Sequence, residues 1–230
     1  MIRDQFTLGV SWLFLFSRER RVSVLQQHRL LTEIIKRFTG SDREGRPLIV
    51  AIDGLGGAGK TTFVHDLANT LKKVCTINVL HMDDYIVESE KRYNTGYDEW
   101  FEYYYLQWDI ACIKNFLEKV HSNAQELTLP FYNRTTNTVV NINKVFAANS
   151  ILLIEGVFLQ RKDWRKFYDY TIFLECPLEI RKERVLKRDT YIGDVSAITK
   201  KYEKRYWIAE DYYLIKEQPL QQADCIWLAQ

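Results

Sequence analysis

The stretch of sequence that decides the fold runs from residue 54 to residue 61 and reads Gly54-Leu55-Gly56-Gly57-Ala58-Gly59-Lys60-Thr61. It matches the pattern G-x-x-x-x-G-K-[ST] at every fixed position, a pattern that requires a strand before it and a helix after it. Both are predicted here, because an apolar run over 47–52 precedes the glycines and apolar residues recur at helical spacing over 63–71. The stretch therefore predicts a strand, a glycine-rich loop and a helix in that order.

A loop of this composition is suited to holding phosphate groups. Its glycines allow positive φ and turn the backbone N–H groups inward, and the positive end of the following helix adds to their effect. We expect the Lys60 ammonium to reach the β- and γ-phosphate oxygens, the Thr61 hydroxyl to bind Mg²⁺, and Thr62 to add a phosphate contact. The sequence thus predicts a site for the phosphates of a nucleoside triphosphate together with Mg²⁺.

Strands alternate with helices outward from the loop. Short apolar runs and helical spacing predict strands over 76–80, 151–154 and 171–174, a hairpin over 127–131 and 139–142, a helix from near Asp109, and a basic helix after Pro177. A mobile-looking segment and an apolar tail, 223–227, complete the chain. The alternation predicts an α/β fold with a mostly parallel sheet and helices on both faces.

The first 46 residues are a predicted N-terminal extension, and residues 47–230 are the predicted domain that carries the loop. Apolar residues at helical spacing predict an amphipathic helix over 22–38 of the extension. The apolar run over 6–16 is shorter than the roughly 20 residues of a membrane-spanning helix, and the residues after it do not form a cleavage site. A role in membrane attachment or targeting stays open beside that of a packed segment.

Composition and charge narrow the class of protein. The 230 residues are 47% hydrophobic and 27% charged, as in soluble globular proteins. Because the 32 Lys and Arg residues nearly balance the 30 Asp and Glu residues, no nucleic-acid or membrane partner is expected. The four cysteines lie far apart among apolar neighbours, and the four histidines show no ligand spacing. We expect a cytoplasmic protein with free thiols and a small-molecule partner, and homo-oligomers stay possible.

Carboxylates follow two of the predicted strands. Asp83 and Asp84 come after the strand over 76–80, and Glu155 directly follows the strand over 151–154. The carboxyl ends of parallel strands meet at the edge of the sheet where ligands bind. A carboxylate that ends so apolar a strand is unfavourable to bury unpaired, and a metal ion would compensate its charge. The plainer alternatives are a turn pair for the aspartates and a salt-bridged strand end for Glu155.

Two further patterns leave alternatives open. Arg184 and Arg188 are spaced i, i+4 and so share one helical face, from which they could close over the phosphates or simply face solvent. The aromatic residues between 93 and 105 fit a ligand pocket as well as they fit core packing or an exposed cap.

A set of motifs resembles the uridine kinase/phosphoribulokinase superfamily of P-loop kinases over about residues 48–227. They read AIDGLGGAGKTTF, HMDDY, LQWD, LPFYN, ILLIEGVF and RKERVLKRD. Uridine kinases and nicotinamide riboside kinases are the most similar members. The resemblance implies a P-loop NTPase-type three-layer sandwich with a small hairpin or lid insertion, and it implies ATP and Mg²⁺ as ligands.

The resemblance also implies catalytic roles. Asp83 matches the aspartate that acts as general base for the attacked hydroxyl. Glu155 matches the glutamate that helps to hold Mg²⁺ alongside Thr61. Arg184 and Arg188 match arginines near the lid, which with the loop lysine stabilise the phosphoryl group in transfer.

The implied acceptor site is less complete. Asp109 resembles an aspartate that binds ribose hydroxyls, Trp108 falls where an aromatic side chain contacts the base, and Tyr132 and Asp84 are the other expected contacts. After Tyr132 the chain lacks the aspartate and histidine with which uridine kinases recognise the pyrimidine, and an ordinary stretch over 190–194 replaces the arginine- and glycine-rich lid. The resemblance therefore implies the catalytic residues, but it does not imply which nucleobase is recognised.

The expected function is ATP-dependent phosphorylation of a hydroxyl on a nucleoside or a similar small metabolite. One alternative is a kinase for another metabolite, such as nicotinamide riboside, pantothenate or a sugar phosphate. A second is a regulatory P-loop ATPase or switch that phosphorylates no acceptor. The residues alone do not decide the acceptor, the preference for ATP over GTP, or the oligomeric state.

Overall fold

The structure, a computed structural model, describes residues 25–40 and 45–229. The apolar run over 6–16 lies outside the described residues. None of the helices among the described residues has the length and apolar character needed to cross a bilayer. The chain divides into two compact units, residues 1–41 and 42–230, and the predicted boundary after residue 46 stays a prediction.

The described part of the first unit is one helix, α1, over residues 25–39. The sequence predicts it over 22–38, and residues 22–24 are outside the described part. Near its end the Thr39 hydroxyl donates to the Ile35 carbonyl at 3.0 Å, and the Gly40 N–H donates to the Lys36 carbonyl at 3.0 Å. The predicted helix is confirmed.

The second unit is built on a sheet of five parallel strands in the order β2-β5-β1-β6-β7. The strands are β1 (Leu48–Gly54), β2 (Thr76–His81), β5 (Ser150–Gly156), β6 (Tyr170–Glu175) and β7 (Cys225–Leu228). Every residue of β1 and β5 is buried, as expected where a parallel sheet is covered on both faces. The predicted α/β fold with a parallel sheet is confirmed.

Helices and one hairpin complete the unit. The helices are α2 (Lys60–Leu71), α3 (Ser89–Arg92), α4 (Glu99–Tyr105), α5 (Ile110–His121), α6 (Leu178–Arg188), α7 (Val195–Lys201), α8 (Trp207–Glu217) and α9 (Pro219–Gln222). A single π-helical turn over Tyr202–Tyr206 joins α7 to α8. The predicted hairpin is the antiparallel pair β3 (Glu126–Asn133) and β4 (Thr138–Val145).

The segment expected to be mobile is helical instead. Helix α8 buries Ala209 and Tyr213, and the Tyr213 ring lies 5.1 Å from the Phe158 ring in the core. The neighbouring Tyr212 ring lies 5.0 Å from that of Tyr104 in α4. The apolar surface of this helix is supplied by tyrosine rings, which a pattern of aliphatic residues does not detect. The tail after α9, predicted only as an apolar end, is the edge strand β7.

The strand register brings the polar strand ends together. Glu155 in β5 is the register partner of His81 in β2 on one side and of Ile52 in β1 on the other. The glycine-rich loop follows β1, and a short turn that includes Asp83 follows β2. The carboxyl edge of the sheet therefore carries the glycine-rich loop, His81, Asp83 and Glu155. Ligands of such folds bind at this edge.

Candidate active site

The glycine-rich loop forms one wall of a deep cleft at this edge. Residues 56–62 line the cavity. Gly57 has φ +80°, and a Cβ there would lie 2.8 Å from the Arg181 carbonyl oxygen, so the loop cannot take a larger residue at this place. Gly59 precedes α2 with φ 90° and no side-chain cap. The first N–H groups of α2 are thus left for an anion, as phosphate binding requires.

Gly54 and Leu55 begin the motif but do not line the cavity. The Gly54 N–H donates to Asp53 Oδ1 at 2.8 Å. Asp53 is completely buried and also accepts hydrogen bonds from Gln160 Nε2 at 3.0 Å and from the Tyr213 hydroxyl. Burial raises the pKa of Asp53, and these hydrogen bonds oppose the rise. Asp53 therefore anchors the start of the loop from behind.

A buried ion pair supports the middle of the loop. Glu210 in α8 accepts the Gly56 N–H at 2.7 Å through Oε1 and Arg181 Nη1 at 2.7 Å through Oε2. The two charged side chains are only 3% and 9% exposed. Burial raises the pKa of Glu210, and the Arg181 guanidinium opposes the rise. Because Arg181 Nη1 also lies 3.3 Å from the Gly56 carbonyl oxygen, the ion pair holds both the N–H and the carbonyl of Gly56.

Lys60 faces the carboxylates of the cleft. Its ammonium donates to the Leu55 carbonyl at 3.0 Å. Burial lowers the pKa of Lys60, and the charges of Glu155 and Asp83 oppose the fall. The predicted phosphate-binding lysine thus lies between the loop and both predicted carboxylates.

Glu155 is held beside the Thr61 hydroxyl. Its Oε1 accepts from Thr61 Oγ1 at 3.2 Å and lies 2.7 Å from His81 Nδ1. Burial would raise the pKa of Glu155, but the His81 hydrogen bond and the Lys60 charge lower it overall. The hydrogen bond to Glu155 raises the pKa of His81. The structure therefore gives His81, interpreted from sequence as structural, a place beside the metal-binding candidate.

The oxygens of Thr61 and Glu155 fit a Mg²⁺ ion, which takes one or two protein oxygens and completes its shell with water and phosphate. Among the described residues, no group of three or more His, Cys, Asp and Glu side chains could enclose a metal by itself. The four cysteines are free, and Cys176 is the one that is buried. The residues present therefore suit a metal that arrives with a nucleotide.

Asp83 opens into the cleft from the turn after β2. Asp83 is exposed to the cavity, while the protein groups around the cleft crowd its carboxyl and partly desolvate it. This desolvation and, after it, repulsion by Glu155 raise the pKa of Asp83, whereas Lys60 and Arg134 lower it. Arg134 Nη2 also lies 3.4 Å from the Asp83 main-chain oxygen. A carboxylate with a raised pKa at this place can accept a proton from a bound hydroxyl.

Arg184 and Arg188 both line the cavity. Arg184 Nη1 donates to the Gly57 carbonyl at 3.1 Å, which places the guanidinium against the loop. The Arg188 side chain is 62% exposed and binds Asp189 at 2.7 and 3.0 Å, and this contact raises the pKa of Arg188. Of the two arginines, Arg184 lies directly on the phosphate loop, and Arg188 lies at the rim.

Tyr132 lines the cavity as predicted, whereas Asp84 does not. The Tyr132 hydroxyl accepts from Arg92 Nη2 at 3.2 Å and donates to Asn137 Oδ1 at 3.0 Å. The aromatic stretch over 93–105 serves both predicted purposes. Its members Tyr93 and Tyr103 line the cavity, and Tyr104 belongs to the core.

Trp108 and Asp109 do not line the cavity, contrary to the role that the resemblance implied. Trp108 is 3% exposed, its Nε1 donates to the Met82 carbonyl at 2.9 Å, and its ring packs against Trp164. Asp109 caps α5 by accepting the Cys112 N–H at 2.8 Å. In the motif LQWD, Trp108 therefore packs in the core and Asp109 caps a helix. We do not assign either residue to the acceptor site.

Several residues of the cleft and of its buried support were missed from the sequence. Arg181 had a signal, because it precedes Arg184 by three residues and so shares the face that points at the loop. Gln107 lines the cavity and belongs to the motif LQWD, one residue before Trp108, to which the resemblance assigned the ligand contact. Glu210 reaches a loop 154 residues away, and Arg92 a tyrosine 40 residues away. Contacts between residues so far apart in the chain produce no local sequence pattern.

Comparison with known proteins agrees with this geometry. The profile of the Phosphoribulokinase / Uridine kinase family matches residues 49–227. A uridine kinase from Lactobacillus helveticus (strain DPC 4571) is 29% identical over 150 residues, 63% of this chain and 68% of that protein. A pantothenate kinase from Sodalis glossinidius (strain morsitans) is 26% identical over 185 residues, 71% of this chain and 53% of that protein.

A solved structure is similar as well. It is described as that of a possible uridine kinase from Bacillus stearothermophilus, and it superposes with a TM-score of 0.72 and 37% identity. The match covers 88% of this chain and 97% of that one. The chain is a member of the Phosphoribulokinase / Uridine kinase family of P-loop kinases.

Proposed function

We propose that the protein transfers the γ-phosphoryl group of ATP to a hydroxyl of a small polar metabolite, a nucleoside or a molecule of similar size. The observation that carries this proposal is the convergence of Lys60, Asp83 and the Thr61–Glu155 pair on one cavity. That cavity has a volume of about 1260 Å³. A single small-molecule site usually occupies roughly 300–1,000 Å³, so the cleft has room for a donor and an acceptor together.

The loop and two cations hold the donor. The N–H groups at the start of α2 bind the phosphates, and the Lys60 ammonium stabilises the charge that moves during transfer. Arg184, already in contact with the loop carbonyl of Gly57, adds a second cation on the same side. Glu210 and Arg181 keep the loop in shape from behind. These groups are preorganised, so little rearrangement accompanies the reaction.

Asp83 acts on the acceptor. Its carboxylate accepts the proton of the attacked hydroxyl, and its raised pKa makes it a better base than an ordinary aspartate. Lys60 and Arg134 oppose that rise in the pKa of Asp83 and so favour the ionised carboxylate. The acceptor hydroxyl therefore meets its base on the same side of the cleft as the donor phosphates.

Thr61 and Glu155 would hold Mg²⁺, with His81 orienting the carboxylate through its 2.7 Å contact. When bound, the ion would neutralise negative charge on the phosphates. An expected consequence is that replacing His81 disturbs Glu155 without removing a ligand oxygen.

The acceptor is open within this proposal. The similar proteins named above include uridine kinases and a pantothenate kinase, so a nucleoside and a pantoic-acid amide are both reasonable acceptors to test. A sugar phosphate and nicotinamide riboside extend the same panel.

The test is ADP release measured with and without each acceptor, in the presence of ATP and Mg²⁺. Stimulation by an acceptor of at least about tenfold over the basal rate supports a kinase. Steady ADP release that no acceptor changes, with inorganic phosphate as the product, contradicts the proposal and identifies an ATPase or switch.

A further inference from the structure

The cleft extends past Asp83 to a second wall formed by α3, the end of α4, the hairpin and the π-helical turn before α8. We refer to this wall as the acceptor wall, and its members are Arg92, Tyr93, Tyr103, Gln107, Tyr132, Arg134 and Tyr206. Cations and phenols predominate among them. This composition is informative because a neutral acceptor needs no buried cation.

Arg92 is a buried cation of the acceptor wall. It is 7% exposed, and its Nε donates to the Val87 carbonyl at 2.9 Å, while its Nη2 donates to the Tyr132 hydroxyl at 3.2 Å. Its guanidinium lies over the Tyr93 and Tyr132 rings, at 4.7 and 5.4 Å from their centroids. It makes no ion pair with a carboxylate of the described residues. Charged side chains are almost never buried unless paired, so its counter-charge is expected from a ligand.

The surroundings of Arg92 add positive charge. The Tyr93 ring also contacts Arg205 at 4.1 Å and Lys201 at 5.4 Å. Of these three cations, Arg205 has a carboxylate partner, Glu102 at 2.9 Å. Burial would raise the pKa of Tyr93, but the three cations lower it overall. Three cations therefore surround the Tyr93 ring at the acceptor wall.

Gln107 gives an independent indication of a ligand. It is 7% exposed, it lines the cavity, and its side-chain oxygen is buried without a hydrogen-bond partner. A buried polar atom left unpaired is unfavourable by about 1–3 kcal/mol, so such atoms are normally satisfied. Because Gln107 lines the cavity, a bound ligand can approach this oxygen. A ligand N–H or O–H would then satisfy it.

Arg134 connects this wall to the catalytic aspartate. It lies in the hairpin turn, its Nη2 is 3.4 Å from the Asp83 main-chain oxygen, and its charge lowers the pKa of Asp83. It also makes no ion pair with a carboxylate among the described residues. A ligand bound at the acceptor wall would therefore have cations along its path to the base.

We propose that the acceptor carries an oxyanion, a carboxylate or a phosphate, in addition to the hydroxyl that is phosphorylated. The Arg92 guanidinium binds the oxyanion, and the Gln107 amide oxygen accepts a hydrogen bond from an N–H or O–H of the same molecule. This inference rests on the proposed kinase function and narrows its acceptor class. It excludes neutral nucleosides as the preferred acceptors.

The test compares acceptors in pairs in which one member carries an oxyanion and the other does not. The pairs are pantothenate with pantothenol, D-glycerate with glycerol, and ribose 5-phosphate with ribose, and uridine is added as a neutral nucleoside. For each we would measure kcat/KM from acceptor-dependent ADP release. A charge-assisted contact is worth about tenfold to 100-fold, so a charged member should exceed its neutral partner by at least tenfold.

Two other outcomes overturn the inference, and they differ from each other. If uridine or a neutral member is turned over as well as the charged members, the acceptor needs no oxyanion, and the kinase function stands. If no member of the panel stimulates ADP release above the basal hydrolysis of ATP, the kinase function itself falls, and the inference falls with it.

Variants assign the effect to Arg92. Arg92→Met should raise the KM for the preferred charged acceptor at least about tenfold and leave the KM for ATP unchanged, and Arg92→Lys should restore part of the loss. Lys91→Met is the matched control, since Lys91 lies on the same short helix, is 65% exposed, pairs with Glu88 and does not line the cavity. Equal KM values in Arg92→Met and Lys91→Met contradict the assignment.

Because Arg92 also hydrogen-bonds to Val87 and Tyr132, Arg92→Met alone does not separate a loss of ligand binding from a folding defect. A second variant makes that separation. Gln107→Glu keeps the shape of the side chain and places a carboxylate at the acceptor wall. It should raise the KM for the charged member of a pair several-fold more than for the neutral member. An equal change for both members contradicts an oxyanion at this wall.

Discussion

The two ends of the cleft are built in different ways. The donor end is one continuous stretch, 54–62, and buried partners such as Asp53 and Glu210 satisfy its polar groups. The acceptor end is assembled from separate segments. Within the described residues it keeps a buried cation, Arg92, without a carboxylate partner, and a buried amide oxygen, on Gln107, without a hydrogen-bond partner. The difference indicates that the protein fixes the shape of the donor loop before phosphates bind, whereas the acceptor end is completed by its ligand.

If the donor end depends on its buried support, breaking that support has the largest effect. Glu210→Gln leaves Arg181 in the interior without a counter-charge, and loss of one member of a buried ion pair lowers the free energy of unfolding by about 3 kcal/mol. Urea unfolding measures the change.

The control is Glu179→Gln, which removes an exposed carboxylate 3.5 Å from Lys182 on α6. An exposed pair contributes less than about 1 kcal/mol, so this variant should unfold almost as the wild type does. Equal destabilisation of both variants would contradict a special role of the Glu210–Arg181 pair.

Asp83 and Asp84 allow a matched test of the base. Asp83→Asn should lower the rate of phosphoryl transfer by at least about 10² and leave the affinity for ATP nearly unchanged, because a general base acts on the hydroxyl and not on the nucleotide. Asp84→Asn, beside it but outside the cavity, should keep most of the activity. Presteady-state rates and nucleotide titration give the two quantities. Comparable rates in the two variants would remove Asp83 from the mechanism.

The pH dependence of kcat/KM is a smaller and more graded test. Asp83 must be ionised to accept a proton, and desolvation together with Glu155 raises its pKa above the usual 3.8. The rate should therefore fall about tenfold per pH unit below that raised pKa, so the acid limb begins at higher pH than for an ordinary aspartate. A profile that stays flat down to pH 4 contradicts the raised pKa or the role of Asp83.

Asp109 is expected to give the smallest effect. As the cap of α5, its replacement in Asp109→Ala should lower the free energy of unfolding by about 1 kcal/mol and leave the KM for the acceptor unchanged. Asp109→Asn keeps a capping oxygen and should behave like the wild type. A rise in the acceptor KM for both variants would restore Asp109 to the acceptor site.

The contrast between the two ends also explains what the sequence could predict. The loop, its strand and its helix are local in the chain, and the strand ends at Asp83 and Glu155 follow from the parallel topology. The choice between Gln107 and Trp108 was not available from sequence, because neighbouring residues in one motif point to different sides and only packing decides which side is the core. The helix α8 was missed since tyrosines supply its buried surface.

The buried pairs were beyond the sequence for another reason. Arg181 and Glu210 are 29 residues apart, and Gly56 and Glu210 are 154 apart, so no spacing rule connects them. A carboxylate in an aromatic helix has the same appearance in the sequence whether it faces solvent or the phosphate loop. Only the fold distinguishes the two.

The most direct test of the central claim follows the γ-phosphoryl group of labelled ATP in a single turnover, with a charged acceptor that stimulates ADP release. If one cleft holds donor and acceptor, the label moves to the acceptor in the wild type and stays in ATP in Asp83→Asn. If the label appears as inorganic phosphate at the same rate with and without acceptor, the cleft hydrolyses ATP and the account is wrong.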